Sequence, residues 1–230
     1  MRSWPTTAEE LVRAQRELAV ASPPDWSPPA ALELIGGCFV CFARGITGAG
    51  AAGDPGAAGA ASTRGRKLLA SASALGSAGG PYLPTMLALR EGALLEAAVR
   101  ALDPLPEVLL VNATGRDHPR RAGLALQLGA VLGLPTVGVT NRVLAALGAW
   151  PGDLRGAATP LRLGREVVGY WLRTRAGAKP VAVHAAWRTD PDTAVEVVLA
   201  AVRRHRTPEP LRRARTIART ARTRAAGAGS

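Results

Sequence analysis

Cysteine is scarce in this chain of 230 residues, which contains only Cys38 and Cys41. The two lie three positions apart in a segment with a strand pattern, where their side chains face opposite sides, so a disulfide between them is excluded. Two cysteines without a histidine cluster do not make a zinc site. The chain also has no long apolar run and no secretory leader pattern, so we expect a cytoplasmic protein without a membrane span.

Lysine is equally scarce, because Lys67 and Lys179 are the only two. The chain is nevertheless basic, with Lys+Arg 29 against Asp+Glu 17 and a formal net charge of +12. Arginine presents a planar fork that suits phosphate, whereas a GC-rich genome would enrich arginine without any such role. Both explanations stay open, and the first favours a polyanionic partner such as nucleic acid.

The first half of the chain predicts a helix followed by a three-stranded antiparallel meander. Residues 8–21 have the apolar spacing of an amphipathic helix, and a proline-rich linker follows at 22–29. Strand patterns then occupy residues 32–43, a weakly patterned stretch near 57–63, and residues 67–73.

The second half predicts parallel strands connected by helices. A helix begins after the turn at 81–84, and buried strands at 107–112 and 135–140 flank a helix expected at 119–132, which is a βαβ arrangement. A hairpin of 167–174 with 179–184, a helix at 191–205 and an arginine-rich tail from Leu211 complete the chain.

The start of the helix expected at 119–132 carries two arginines, Arg120 and Arg121, directly after Pro119. Cations are unfavourable at the amino end of a helix, where the backbone dipole is already positive. An anion bound among these groups would remove that conflict. We therefore expect the two arginines to contact phosphate.

Glu91 is a carboxylate on the apolar face of the helix that follows the turn at 81–84. A carboxylate in that position must be paired, bound to metal or protonated. An ion pair with an arginine such as Arg120 and a role as metal ligand are both open.

Four segments together resemble the endonuclease V family, which consists of metal-dependent nucleases that recognise deaminated bases, chiefly inosine. Residues 81–91 are similar to the family pattern PYxPGxLxFRE, and residues 110–125 resemble VDGxGxxHPRxxGxA. Residues 135–141 are similar to PTxGVAK, and residues 206–212 match Arg-x-Pro-Glu-Pro-x-Arg. The resemblance runs from about residue 4 to residue 219.

The resemblance implies an RNase H-like α/β fold: a mixed sheet of three antiparallel strands followed by parallel βαβ units, with helices on both faces. We expect one such domain over residues 1–210, and a basic tail over 211–230 that is disordered at its end. The family further implies Mg²⁺ or Mn²⁺ as cofactor. The implied partner is DNA or RNA with a deaminated base, bound by a monomer.

The resemblance also implies which positions carry the chemistry, and several are substituted. The family's two catalytic aspartates fall on Phe39 and Asn112, its lysine on Asn141 and its late histidine on Trp187, whereas Glu91 is retained. The remaining metal ligands would be Glu91, Asn112 and Asp117. Asp117 is alternatively the N-cap of the following helix.

Nucleic-acid contacts are implied by three further groups of residues. The segment Tyr82, Leu83 and Pro84 resembles the family's wedge, which enters the duplex beside the damaged base, and Thr85 replaces the glycine that follows it. Gly115 and Gly138 would allow a close approach to the base, while the remaining expected contacts are His118, Arg120 and Arg121.

Three functions follow from these residues. The favoured one is a nucleic-acid-binding protein whose cleavage activity is reduced or lost, because Mg²⁺ needs charged oxygen ligands that Phe39 and Asn112 do not supply. The second is an active, metal-dependent repair endonuclease with a rearranged site. The third is a scaffold for a protein partner, against which the retained motifs count.

Overall fold

The computed structural model describes residues 4–43 and 50–227, which form eight strands and five helices. The strands form one sheet in the order β3-β2-β1-β4-β5-β8-β7-β6. In chain order the elements are α1 (Ala8–Val20), β1 (Ile35–Phe42), β2 (Pro55–Arg64), β3 (Lys67–Ser77), α2 (Leu87–Arg100), β4 (Val108–Val111), α3 (Leu124–Leu132), β5 (Thr136–Thr140), β6 (Ala158–Leu163), β7 (Glu166–Leu172), β8 (Val181–Ala185), α4 (Pro191–Ala201) and α5 (Glu209–Gly227).

The predicted fold class is confirmed by the strand pairing. Strands β1, β2 and β3 form an antiparallel meander, and β1, β4 and β5 run parallel. The predicted hairpin of β7 and β8 is also present, and β8 pairs antiparallel with β5. The carboxyl ends of β1, β4 and β5 therefore lie at one edge of the sheet, which we call the carboxyl edge.

Helices cover both faces of the sheet because the strands alternate apolar side chains to either side. On one face α1, α2 and α3 pack around residues such as Leu11, Cys38 and Leu109. On the other face α4 and α5 pack around Leu110 and Leu211. No helix in the described ranges is long and apolar enough to cross a membrane.

Two elements differ from the sequence prediction. Strand β6 was not predicted, because it lies at the sheet edge and contains Pro160, which lacks the N–H that a central strand needs. Helix α3 begins at Leu124 rather than Pro119, since Arg121 has a left-handed backbone (φ 57°) that ends the preceding turn and Gly123 is the N-cap.

The arginine-rich segment from Leu211, expected as a tail, instead belongs to α5 as far as Gly227, and residues 228–230 lie outside the described ranges. Helix α5 packs directly on β1 and β2 because glycines face it there. A Cβ atom on Gly37 would lie under 3.0 Å from the backbone of Pro210 and Leu211, and one on Gly59 equally close to the backbone of Ala214 and Ala218.

Replacing Gly59 by Ala should therefore destabilise the protein, by about 1–3 kcal/mol if the added methyl forces α5 away from the sheet. The measurement is the free energy of unfolding by chemical denaturation. Gly152→Ala is the matched control, because nothing lies within 4 Å of a Cβ there. Equal stabilities of the two variants would contradict the close α5 packing.

Candidate nucleic-acid site

A cavity of about 310 Å³ lies at the carboxyl edge, under the predicted wedge. Tyr82 and Leu83 are exposed beside it, with 58% and 49% of their surface accessible. Its walls are mainly apolar, and its polar groups come from the ends of β4 and β5 and from the loop after β4. The lining includes Tyr82, Pro84, Thr85, Leu87, Ala88, Asn112, Thr114, His118, Leu124, Thr140, Arg142 and Leu144.

The turn that follows the wedge is held over this cavity mainly at the carbonyl oxygen of Thr85. It accepts hydrogen bonds from the Gln15 side chain (3.1 Å) and from Arg120 (3.3 Å), and lies 3.2 Å from Nε2 of His118. Thr85 has φ 69°, a left-handed conformation that is strained for a β-branched residue. These three side chains hold the turn in that conformation.

We call Gln15, His118 and Arg120, which contact the Thr85 carbonyl, the clamp. His118 takes part in the clamp as a neutral imidazole. Its Nδ1 accepts a hydrogen bond from the backbone N–H of Arg120 (3.1 Å), so the proton lies on Nε2 and is donated to the Thr85 carbonyl. Burial lowers the pKa of His118 to about 4. His118 therefore helps to hold the turn that follows the wedge, and its expected contact with nucleic acid stays a prediction.

The expectation that Arg120 and Arg121 form a phosphate site at a helix terminus is wrong in its geometry. Arg120 binds the side chains of Gln15 and Thr85, and Arg121 forms an ion pair with Glu166 (2.8 Å) and donates to the Leu163 carbonyl. Neither residue belongs to α3, which begins at Leu124. Both guanidinium groups are used to connect segments of the fold.

Asp117 does not cap α3, whose N-cap is Gly123. Its buried carboxylate accepts hydrogen bonds from the backbone N–H groups of Leu144, Ala145 and Ala146, at 2.7, 2.8 and 2.7 Å. It thereby holds the loop that forms one wall of the cavity. His184 is fully buried beside it, and its Nε2 lies 2.9 Å from Oγ1 of Thr140.

Gly115 and Gly138 allow close contacts within the protein. A Cβ on Gly115 would collide with the Ala185 carbonyl, and one on Gly138 would lie 2.5 Å from the Ala113 carbonyl. The loop after β4 crosses the sheet at these points. Their expected role in approaching a base stays a prediction.

The two positions expected to carry aspartates are neighbours along the carboxyl edge, but Phe39 faces away from Glu91. Strands β1 and β4 are paired with Cys38 beside Val111, which places Phe39 level with Asn112. The Phe39 ring points to α5, where the Arg215 guanidinium lies 4.9 Å from its centroid. Phe39 and Glu91 therefore lie on opposite faces of the sheet, because alternate residues of a strand face opposite sides.

Cys38 is the β1 side chain that faces Glu91. The thiol is fully buried, and burial together with the nearby Glu91 carboxylate raises its pKa. Burial raises the pKa of Glu91 to about 7, against a smaller lowering effect of Arg90. Glu91 makes no hydrogen bond or ion pair within the described residues, and Arg90 pairs with Asp54 instead (2.8 Å).

These residues do not fit Mg²⁺ or Mn²⁺. Hard cations take charged oxygen ligands, and the edge offers a neutral thiol, a carboxyl group with a raised pKa and the amide of Asn112. Within residues 4–43 and 50–227, no cluster of three or more His, Cys, Asp and Glu side chains could hold a metal ion. Glu91 and Asn112 remain as isolated potential ligands.

Trp187 and Asn141 are not part of this group. Trp187 lies at the amino end of β5, at the opposite edge of the sheet, where its backbone exchanges hydrogen bonds with Thr136 (3.0 and 3.1 Å). Asn141 follows β5 and accepts a hydrogen bond from Arg206 at 2.8 Å, which links two of the recognised motifs. The sequence analysis did not identify Cys38, Thr140 and Arg215 as residues of this edge. Strand alternation around Gly37 could have placed Cys38 on the side of Glu91.

The fold and the retained motifs define an RNase H-like protein of the nuclease type. The family model for endonuclease V matches residues 21–216. Endonuclease V of Streptomyces avermitilis is 37% identical over 223 residues, covering 95% of this chain and 93% of the relative. This chain belongs to the endonuclease V family.

Solved structures agree with this assignment. The crystal structure of endonuclease V from Streptomyces avermitilis superposes with a TM-score of 0.85 at 34% identity, covering 97% of this chain and 96% of that one. Endonuclease V from Ciona intestinalis shares the fold, with a TM-score of 0.71 at 18% identity and coverage of 95% and 99%. That structure is a complex with a DNA 24mer containing an inosine followed by a ribo-adenosine.

Replacing Glu91 by Gln should remove one component of the pH dependence of stability. The carboxyl pKa is about 7 in the folded chain against an ordinary value of 4.5, so between these values the unfolded chain loses a proton that the folded chain keeps. This component of the unfolding free energy therefore falls as pH rises from about 4.5 to about 7, and is absent from Glu91→Gln.

The measurement is chemical denaturation of both proteins between about pH 5 and about pH 8. His118 and His184, whose pKa values burial lowers to about 4, contribute the opposite trend to both proteins, so the difference between the curves isolates Glu91. Glu17→Gln, on the exposed side of α1, should give a curve parallel to the parent. A pH-independent difference for Glu91→Gln would contradict the raised pKa.

Proposed function

We propose that this chain binds nucleic acid, recognises a deaminated base of the inosine type, and cleaves the strand poorly or not at all. The observation that carries the proposal is the coexistence of a cavity under an exposed Tyr82 and a carboxyl edge without a metal cluster in the described residues. The family membership supports the choice of ligand, because the Ciona relative is bound to inosine-containing DNA.

The cavity suits an extruded base for physical reasons. It is bounded by apolar side chains such as Pro84 and Leu87, which suit the faces of a planar ring. The Asn112 carboxamide at its rim has both donor and acceptor atoms and makes no hydrogen bond within the described residues. An enzyme or binding protein that reads a base outside the helix needs both features.

The wedge and the clamp work together in this proposal. An aromatic or apolar side chain inserted between bases partly unstacks them. Tyr82 and Leu83 extend into solvent, while the Thr85 carbonyl is held by Gln15, His118 and Arg120. Because these groups are already fixed, the wedge loses little conformational freedom on binding.

The proposal predicts weak cleavage because the edge lacks negative charge. A divalent metal in a nuclease activates water and stabilises charge developing on the phosphate. That chemistry requires ligands which Cys38 and Asn112 do not provide. The alternative of an active enzyme is favoured by one observation, the Glu91 pKa of about 7, which suits a general acid or base near neutral pH.

Tyr82→Ala should lower affinity for inosine-containing oligonucleotides, by about tenfold if the ring stacks on a base. Binding is measured by fluorescence anisotropy with labelled strands that contain one inosine or one adenine at the same position. Leu105→Ala is the control, because Leu105 is similarly exposed (51%) but precedes β4 at the opposite edge. Equal affinities of the parent chain for both strands would overturn the proposed base recognition.

Cys38→Asp combined with Asn112→Asp should increase Mg²⁺-dependent cleavage more than either change alone, because the carboxylates act together on one ion. Cleavage of an inosine-containing strand is measured with Mg²⁺, Mn²⁺ or chelator, alongside circular dichroism to verify folding. Phe39→Asp with Asn112→Asp is the matched control and should gain no more than Asn112→Asp alone, because residue 39 faces α5.

The cleavage assay also decides between the two functions. Strong Mg²⁺-dependent cleavage by the unchanged chain, abolished in Glu91→Ala, would establish the enzyme and overturn the proposal. Absence of both binding and cleavage would overturn both functions and leave the protein scaffold.

A further inference from the structure

Phe39 stands where an aspartate was expected, and its ring packs against an arginine of α5. The Arg215 guanidinium lies 4.9 Å from the Phe39 ring centroid. Stacking on an aromatic ring orients a guanidinium group through its face and leaves its N–H edge available for hydrogen bonds. Nε of Arg215 is buried and has no hydrogen-bond partner in the described chain.

Arg215 is the first member of a row along α5. Arg219 and Arg222 follow at one and two helical turns and lie on the same side of the helix. Arg219 and Arg222 are close to Cys41 of β1: burial raises the pKa of this thiol, and Arg222 and Arg219 oppose that rise. Nε of Arg222, like that of Arg215, is buried without a partner among the described residues. We call these three residues the arginine row.

The arginine row lacks compensating negative charge. Helix α5 carries six arginines and one carboxylate, Glu209, which pairs with Arg212 and Arg213. No member of the row forms an ion pair within residues 4–43 and 50–227. Arg219 repels Arg215 and lowers its pKa, which adds to the lowering by burial. A bound polyanion would remove this repulsion.

The position of the row connects it to the candidate site. Phe39 is level with Asn112, and β1 continues past the end of β4. The start of α5 lies against Gly37, and Ala214 and Ala218 lie against Gly59, the partner of Phe39, so α5 carries the row outwards from the carboxyl edge. Residues 215 and 222 are separated by about 10 Å along the helix axis at about 1.5 Å per residue. This length corresponds to about three phosphate-to-phosphate steps of one strand, at roughly 3.4 Å per step along a duplex axis.

We propose that Arg215, Arg219 and Arg222 bind successive phosphates of the nucleic-acid strand without a metal ion, with Phe39 as the platform that holds Arg215. The inference rests on the proposed function, which it deepens by placing the path of the strand. The guanidinium groups supply at this edge the positive charge that a bound divalent ion supplies in a nuclease. Phosphate contacts of this kind position the strand without reading its sequence.

The test measures binding of a labelled, undamaged single-stranded DNA in chelator, from about 50 mM to about 200 mM salt. The variant is Arg215→Gln with Arg219→Gln and Arg222→Gln. The matched control removes the same charge from exposed loop arginines by Arg165→Gln with Arg175→Gln and Arg204→Gln. Arg219→Gln alone serves as a second variant, since Arg219 is exposed and its loss leaves the packing intact.

The row variant should bind about tenfold or more weakly, and its plot of log affinity against log salt should be shallower by about 2, or about 0.7 per phosphate. Arg219→Gln alone should account for about a third of that change in slope. The control should retain the parent slope. Equal effects of the row and control variants, an unchanged slope in the row variant, or no binding by the parent chain would each overturn the inference.

The same experiment separates this inference from the proposed function. Preference for inosine over adenine is measured on each protein, and the row variant should keep the parent preference while its affinity for both strands falls. A parent chain that binds undamaged DNA through the row but shows no inosine preference would overturn the proposed function alone. An inosine preference combined with an unchanged salt slope in the row variant would overturn the inference alone.

Discussion

The close packing of α5 against β1 and β2 is the constraint on which the arrangement at the carboxyl edge depends. Gly37 and Gly59 allow the helix backbone to lie directly on the sheet. This contact determines which β1 residues face α5 and which face α2, because side chains alternate along a strand. Phe39 consequently contacts Arg215, while Cys38 lies beside Glu91.

The charge at this edge follows from that alternation. On the α2 side the thiol of Cys38 is buried and Glu91 has a raised pKa of about 7, so negative charge is disfavoured there. On the α5 side the arginine row supplies positive charge. The weak negative charge on the α2 side and the positive charge on the α5 side both favour binding of a polyanion over binding of a hard cation. Nucleic-acid binding and metal-dependent cleavage are therefore separable in the proposed function.

The wedge illustrates how the fold reassigns residues that a motif groups together. His118, Arg120 and Asp117 belong to one motif, yet each is used to hold a wall of the cavity: the first two bind the Thr85 carbonyl, and Asp117 binds the amides of residues 144–146. The cavity is therefore shaped by buried polar contacts, and the groups that face a ligand are fewer than the motif indicates.

The sequence by itself determined the fold class, the antiparallel meander, the βαβ unit and the family, because apolar periodicity and motif spacing are local properties of the chain. It also identified the substituted edge position Asn112 and the retained Glu91. Only the tertiary structure decided which side chains meet. The face taken by Phe39, the start of α3 after the left-handed Arg121, and the partners of Asp117 depend on contacts between residues distant in sequence. No pattern within a single segment contains that information, because these contacts form only when the elements pack together.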